Sequence, residues 1–125
     1  MITSITKRFT FEASHFLPNH EGKCRNLHGH SYKLEVTVTG RTNKDIKSPE
    51  YGMVVDFGYL SDVVESIIAP LDHCTLNDFY TNPTAEYMAQ DLFVRFNSEF
   101  SEKECDVTSV KLWETEKCYV EVKAE

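Results

Sequence analysis

The run His28-Gly29-His30, thirteen residues after His15 and four after Cys24, constrains this chain more than any other feature. In an extended backbone successive side chains point to opposite faces, so residues two apart point the same way. A His-x-His on a strand therefore aims two imidazoles at one point, and Gly29 between them takes up no room. A third histidine from a neighbouring strand completes a site of three nitrogens with one position open, the arrangement of catalytic rather than structural zinc. Ligation by imidazole alone favours the same ion. Such a site needs two strands side by side, with their histidine-bearing ends together.

The local pattern supplies those strands. Residues 3–16 alternate, with Phe9, Phe11, Ala13 and His15 on one parity and Arg8, Thr10, Glu12 and Ser14 on the other. Residues 30–40 alternate again, His30, Tyr32, Leu34, Val36 and Val38 against Ser31, Lys33, Glu35, Thr37 and Thr39. Both read as half-buried antiparallel strands. The histidines are in phase with the apolar residues, which predicts a metal site at the rim of the core. Residues 41–53 are polar, contain Pro49 and Gly52, and read as a long loop. Asp56 is placed to cap a helix that carries Leu60, Val63, Val64, Ile67 and Ile68 at helical spacing and ends at Pro70. Asn82-Pro83-Thr84 opens a second helix, proline being tolerated in a first turn. Its apolar face is Met88, Ala89, Leu92, Phe93, Phe96 and Phe100.

Two more strands, about 107–114 and 118–123, close the chain around Thr115-Glu116-Lys117. The order β-β-α-α-β-β predicts one α+β domain over 1–125, a four-stranded antiparallel sheet with two helices on one face. The other face is rich in Thr, Glu and Lys, and nothing remains to cover it. Four strands also leave two open edges. Either that face meets water, or several sheets join into a barrel with a polar interior.

The formal charge of −7 argues against nucleic acid and anionic membrane, which demand clustered Lys and Arg. Lys23, Arg25 and Lys33 lie near the histidines, either as a local patch for a small anion or as solvated loop charges. No run reaches the roughly 20 apolar residues of a membrane span. Residues 1–8 read as too short and polar for a secretory signal, and four cysteines without a C-x-x-C pair fit reduced thiols. A cytoplasmic location is the expectation.

Cys24 stands in a polar loop between two cations. Neighbouring positive charge, a metal included, lowers a thiol pKa and produces a thiolate. A thiolate beside a Lewis acid can take a proton from carbon while the metal holds the developing oxyanion. Cys74, Cys105 and Cys118 read as small buried hydrophobes. In Asp72-His73 the carboxylate can hold the ring in one tautomer and make it a second acid–base group. Glu114 falls on the parity of Val110 and Leu112. It either pairs with something inside or turns outward where the strand ends, and a ligand with adjacent N–H donors would pair with it bidentately.

The set Phe11-Glu12-Ala13-Ser14-His15, Cys24-Arg25-Asn26-Leu27-His28-Gly29-His30, Val55-Asp56-Phe57, Leu71-Asp72-His73, Leu76-Asn77, Pro83-Thr84-x-Glu86 and Trp113-Glu114-Thr115 resembles the 6-pyruvoyl-tetrahydropterin synthase family, in order over essentially the whole chain. Within the family, C-x3-H-G-H and Val54-Val55-Asp56-Phe57 look like the branch serving queuosine and related 7-deazapurines. The resemblance implies zinc on His15, His28 and His30 and Cys24 as the proton-abstracting thiolate. It also implies Asp72 and His73 as an acid–base pair and Glu114 as the anchor of a pterin ring. The implied fold is the tunnelling fold, whose sheets join into a barrel and whose trimers stack into hexamers. Its active sites lie between subunits, so Asp72-His73 would serve a neighbour's Cys24. The implied reaction turns 7,8-dihydroneopterin triphosphate into 6-carboxy-5,6,7,8-tetrahydropterin, with loss of acetaldehyde and triphosphate. The alternatives are a 6-pyruvoyl-tetrahydropterin product on the same fold, or a non-catalytic zinc-stabilised oligomer that binds pterins or purines. The 41–53 loop is longer than the compact turn of many relatives and reads either as surface decoration or as a change to access or assembly.

Overall fold

In the computed structural model, which describes residues 1–125, the alternating segments form two long strands. Strand β1 (Thr3–His15) pairs antiparallel with β2 (His28–Gly40) over its full length, from Thr3 opposite Gly40 to His15 opposite His28. Helix α1 (Phe57–Ile68), a short strand β3 (Cys74–Thr75), helix α2 (Ala85–Ser98), β4 (Cys105–Thr115) and β5 (Cys118–Lys123) follow. The sheet runs β3-β1-β2-β4-β5, with α1 against β1 and α2 against β4 and β5.

The architecture is α+β with two helices, as the periodicities predict, but the sheet has five strands rather than four and is mixed. β3 runs parallel to β1, through Ala13 opposite Cys74 and Ser14 opposite Thr75. A strand of two residues is too short to show any alternation, so the pattern could not reveal it.

The core forms where the apolar parities of β1, β2 and β4 meet the helices. Phe11, Tyr32, Leu34 and Leu112 lie under Leu60, Val64, Leu92 and Phe96, all buried. Val107 and Val110 have opposite parities yet are both buried. A bulge resolves this: Thr37 faces Ser109 while Val38 faces Val107, leaving Thr108 as the extra residue. Asp56 caps α1 as predicted, accepting from the Gly58 N–H at 2.6 Å. At α2 the cap is Thr84, whose hydroxyl accepts from the Tyr87 N–H. Pro83 therefore precedes the cap instead of occupying the first turn, which frees its carbonyl for another use.

The 41–53 loop closes on itself. The Asn43 N–H donates to Met53 O and the Gly52 N–H to Asn43 O, both at 2.8 Å. Gly52 has φ 81°, a conformation open to glycine without strain. Glu50 ties the loop to α1 by accepting from the Asp56 N–H at 2.7 Å.

The helix-free face carries its polar residues in rows across the strands. Ser4, Thr39 and Thr108 link through hydroxyls at 2.7 and 2.8 Å, Thr6 meets Thr37 at 2.7 Å, and Arg8 meets Glu35 at 2.6 Å. Lys33, Trp113 and Tyr119 stand opposite one another in the next row. Neither helix covers this face. The outer edge of β5 and most of the outer edge of β1 have no strand partner.

Beyond His15, a side chain holds the end of β1. Asn77 Oδ1 accepts from the Phe16 N–H at 2.9 Å, and its Nδ2 donates to Phe16 O at 2.8 Å. The amide thus imitates a strand partner one residue past the histidine. Asn77→Ala should strip both half-buried backbone groups of their partner and destabilise the fold by about 1–3 kcal/mol. A lowered urea midpoint at unchanged slope checks this. An unmoved midpoint would show that water replaces the amide without loss.

Candidate metal centre and active site

The β1–β2 register builds the histidine cluster. His15 stands directly opposite His28, and Ala13 opposite His30, so His30 lies diagonal to His15 on the same face. The three rings sit edge-on to one another, with centroids 4.6, 5.0 and 4.9 Å apart. Their ligand nitrogens all lie within 4.8 Å of one another. His15 is buried to 1% exposure, at the rim of the core where its parity placed it.

The outer nitrogens define what the inner ones can do. His15 Nδ1 lies 2.7 Å from Pro83 O, and His28 Nδ1 lies 2.7 Å from Asn26 O. A carbonyl only accepts, so both Nδ1 atoms carry the proton. In the neutral rings each Nε2 then presents a bare lone pair, and these two atoms are 3.1 Å apart. Two lone pairs at that distance repel, and a shared cation removes the conflict. A carbonyl on the outer nitrogen is also the usual second partner of a metal-bound histidine. Burial first, and then the charges of His15 and His28, hold His30 below its ordinary pKa, which favours the neutral ligand form. The donor set fits a metal ion with a fourth, open position.

Glu114 turns inward. Trp113 faces Tyr119 and Thr115 faces Cys118, which leaves Glu114 as the extra residue of a second bulge. Its Oε2 reaches to 3.4 Å from His15 Nε2 and 3.7 Å from His30 Nε2, with the side chain 29% exposed. The Tyr32 hydroxyl lies 3.4 Å from His15 Nδ1. Burial, with the Glu114 charge second, holds that phenol far above its usual pKa and keeps it neutral.

Cys24 lies half-buried in a short helical turn, Lys23–Arg25, fastened by the Leu17 N–H donating to Cys24 O at 2.8 Å. It is not among the clustered ligands, so the histidines can hold a metal without it. Lys23 and Arg25 are exposed on this turn, whereas Lys33 lies on the helix-free face, 6.0 Å from the Trp113 ring. The other thiols only partly follow expectation. Cys105 is buried and Cys74 half-buried, and burial raises the pKa of both. Cys118 is exposed, because it opens an edge strand directly after a tight turn and has no core to enter.

Asp72 and His73 form a clamp on the backbone of Glu12. Asp72 Oδ1 accepts from the Glu12 N–H at 2.8 Å, and the His73 N–H donates to Glu12 O at 2.5 Å. His73 has φ 58°, a left-handed conformation uncommon for a residue with a side chain and frequent at functional sites. Its Nδ1 lies 3.0 Å from Asp72 Oδ2 and its ring is 77% exposed. The Glu12 amide first, and His73 second, hold the Asp72 carboxyl below the usual range. The ionised Asp72 therefore fixes the Nδ1–H tautomer and leaves Nε2 free to exchange a proton. His73, without Asp72, borders a depression of about 630 Å³ that is lined by Glu12, Ser14, Ser31 and Thr75 and also by His30 of the histidine cluster. The metal histidines point to the core face. One chain brings Asp72 and His73 to the same end of the sheet as the histidines, at the edge of β1.

Sequence reasoning left out the carbonyls of Asn26 and Pro83, the Asn77 amide and the two bulges. Asn26, Asn77 and Pro83 stand in the quoted motifs, yet a role played by a backbone oxygen has no side-chain signature.

The model of the 6-pyruvoyl tetrahydropterin synthase family matches residues 4–125. A protein of Haemophilus influenzae named 6-carboxy-5,6,7,8-tetrahydropterin synthase is 33% identical, over 94% of this chain and 96% of its own. One of the same name from Synechocystis is 45% identical, over 73% of this chain and 72% of its own. Among solved structures, the 6-pyruvoyl tetrahydropterin synthase of Caenorhabditis elegans superposes with a TM-score of 0.84 at 25% identity, over 100% of this chain and 97% of that one. The family match and the backbone superposition both span nearly the whole chain, and the chain belongs to the 6-pyruvoyl tetrahydropterin synthase family.

Proposed function

We propose that this chain is a zinc-dependent lyase that converts 7,8-dihydroneopterin triphosphate to 6-carboxy-5,6,7,8-tetrahydropterin, releasing acetaldehyde and triphosphate, in the synthesis of queuosine and related 7-deazapurines. One observation carries it: two imidazoles whose outer nitrogens are fixed by carbonyls turn bare nitrogens on each other, with a third imidazole beside them. The C-x3-H-G-H spacing and the names of the Haemophilus and Synechocystis relatives favour the 6-carboxy product over the 6-pyruvoyl one.

His15, His28 and His30 hold the zinc, which when bound supplies Lewis acidity at the side-chain oxygens of the substrate. Glu114 takes the N–H donors of the pterin ring and sets its orientation. Cys24 removes a proton from carbon as a thiolate. His73 Nε2 returns a proton, and Asp72 holds the ring in the tautomer that can do so. The pair stands exposed at the edge of β1, which supports a site completed between subunits, with Asp72-His73 serving a neighbour's Cys24. The bare edges of β1 and β5 and the uncovered polar face support tunnelling-fold sheets, one per chain over 1–125, joined into a barrel, with trimers stacked as a hexamer.

Mass spectrometry of the products from 7,8-dihydroneopterin triphosphate tests the reaction. Acetaldehyde and the 6-carboxy pterin are expected. A 6-pyruvoyl product without acetaldehyde would transfer the chain to the other branch. Tight pterin binding with no turnover would make it a binding oligomer.

The purified protein should carry about one zinc per chain, and His28→Ala or His30→Ala should lose it. Full zinc in both variants, by metal analysis, would remove these ligands from the site. Cys24→Ala should keep zinc and fold but lose turnover by the 10²–10⁴-fold typical of general base catalysis, while Cys105→Ala and Cys118→Ala stay active. Turnover of Cys24→Ala within about threefold of wild type, far short of that range, would move the proton transfer to another group. Glu114→Gln should weaken pterin binding by about 1.5–3 kcal/mol, the range for hydrogen bonds to a charged group. Calorimetry on folded protein reads that loss, and unchanged affinity would leave Glu114 no part in holding the ring.

A further inference from the structure

We infer that a second copy of this chain docks edge to edge, with β5 of one copy pairing antiparallel to β1 of the next and Glu121 standing opposite the partner's Arg8. This register rests on the joined-sheet assembly proposed above.

One row of the helix-free face supplies the complementarity. Arg8, Glu35, Lys111 and Glu121 stand directly opposite one another across β1, β2, β4 and β5, so the row alternates in sign. It ends in a cation at one free edge and a carboxylate at the other. Arg8 meets Glu35 through Nε at 2.6 Å with its side chain 75% exposed, which leaves the terminal nitrogens to donate outward. Glu121 accepts from Ser109 Oγ at 2.9 Å and lies 3.8 Å from Lys123 Nζ, and a carboxylate has lone pairs for further donors. The rows on either side end in Thr10 and Tyr119 and in Thr6 and Lys123, and offer no such pair. Opposite charges facing each other across strands stabilise a pairing, and like charges destabilise it. A slip of two residues one way sets Lys123 against the partner's Arg8, and the other way sets Glu121 against the partner's Thr6. Only the unslipped register keeps the signs alternating from chain to chain.

The backbone agrees with the charges. Glu12 turns its N–H and C=O to the outer edge of β1, where Asp72 and His73 take them. Antiparallel strands turn these groups to alternate sides, so Thr6, Arg8 and Thr10 turn theirs outward as well. The same alternation, carried through the registers of β2 and β4, turns those of Tyr119, Glu121 and Lys123 outward on β5. Glu121 and the partner's Arg8 can therefore exchange both backbone hydrogen bonds. The lengths fit too. β3 and the Asp72-His73 clamp occupy the β1 edge at Glu12, Ala13 and Ser14. The six residues of β5 then lie opposite the partner's residues from Phe11 to Thr6, stopping one short of the clamp. On the core side this register sets Val120 against the partner's Phe9, both packed into the core of their own chains. It brings the turn of Thr115, Glu116 and Lys117 up to the partner's Asp72 and the partner's His73.

Cysteine pairs in the full chain read this register. Residues directly opposite in an antiparallel pair have Cα atoms about 5.5 Å apart, within disulfide reach, whereas a slip of two residues carries them beyond the roughly 7 Å limit. Under mild oxidation Arg8→Cys/Glu121→Cys should link chain to chain, seen as covalent oligomers on a non-reducing gel. Thr10→Cys/Tyr119→Cys, which leaves the charged row intact, should do the same and decides alone if the first variant fails to fold. Thr6→Cys/Glu121→Cys and Thr10→Cys/Glu121→Cys, each two residues out, should link no more than wild type. Glu121→Lys should assemble about tenfold more weakly in sedimentation on dilution, as attraction gives way to like-charge repulsion. Glu65→Lys, the same charge change on an exposed position of α1, should not. Links in a slipped pair, no links in either in-register pair, or assembly of Glu121→Lys equal to that of Glu65→Lys overturns the proposal while the joined-sheet reading stands. Wild type that sediments as a monomer fails that reading itself, and this register with it.

Discussion

The register between β1 and β2 is the constraint on which the rest depends. Strand side chains repeat with a period of two, so a slip of one residue would move every inward group to the other face. Here one pairing places Phe11 against Tyr32, Phe9 against Leu34 and His15 against His28. The same parity that fills the core thus assembles the imidazoles. Slippage would cost the apolar contacts of a full strand at once, so the core guards the site. The histidine cluster needs no separate device to hold it in register.

What the register cannot supply is the orientation of each ring, and distant backbone does that. His15 is turned by the carbonyl of Pro83, which precedes α2, and His28 by that of Asn26, in the turn after Cys24. The Asn77 amide, just after β3, holds Phe16 beside them. The ligands are therefore oriented only when α2 has docked and the loop has closed. Affinity for a metal at these histidines would be coupled to folding for that reason, since a preformed site rarely exists in an unfolded chain. It also explains why Thr84, not Pro83, caps the helix. A proline inside the first turn would commit its carbonyl to the helix rather than to His15.

Much of this was legible because periodicity is a local property. The strands of His15 and His30, the helix behind Asp56, the helix of Met88 and Leu92, and the in-phase histidines all follow from side-chain spacing over a dozen residues. The illegible parts are those where a local rule is broken by one residue or applied over too few. Cys74–Thr75 is two residues long, Thr108 and Glu114 each insert a step that flips parity, and Cys118 follows a turn too tight to lead inward. Glu114 shows the limit well. Parity allowed either an inward pairing or an outward turn, and only the three-dimensional convergence on His15 and His30 decides between them.

Imidazoles and Glu114 lie at the core rim, where low water content strengthens every charge interaction, while Asp72-His73 clasps the Glu12 backbone at the exposed edge of β1. His73 keeps a left-handed backbone conformation with its ring exposed, while the backbone hydrogen bonds of the pair fasten Glu12. A strained, ordered and solvent-facing histidine makes sense when its working partner comes from outside. The bare strand edge beside it is where a second sheet can dock. An assembly of the kind proposed would account together for the open edge, the uncovered polar face and the exposed Asp72-His73.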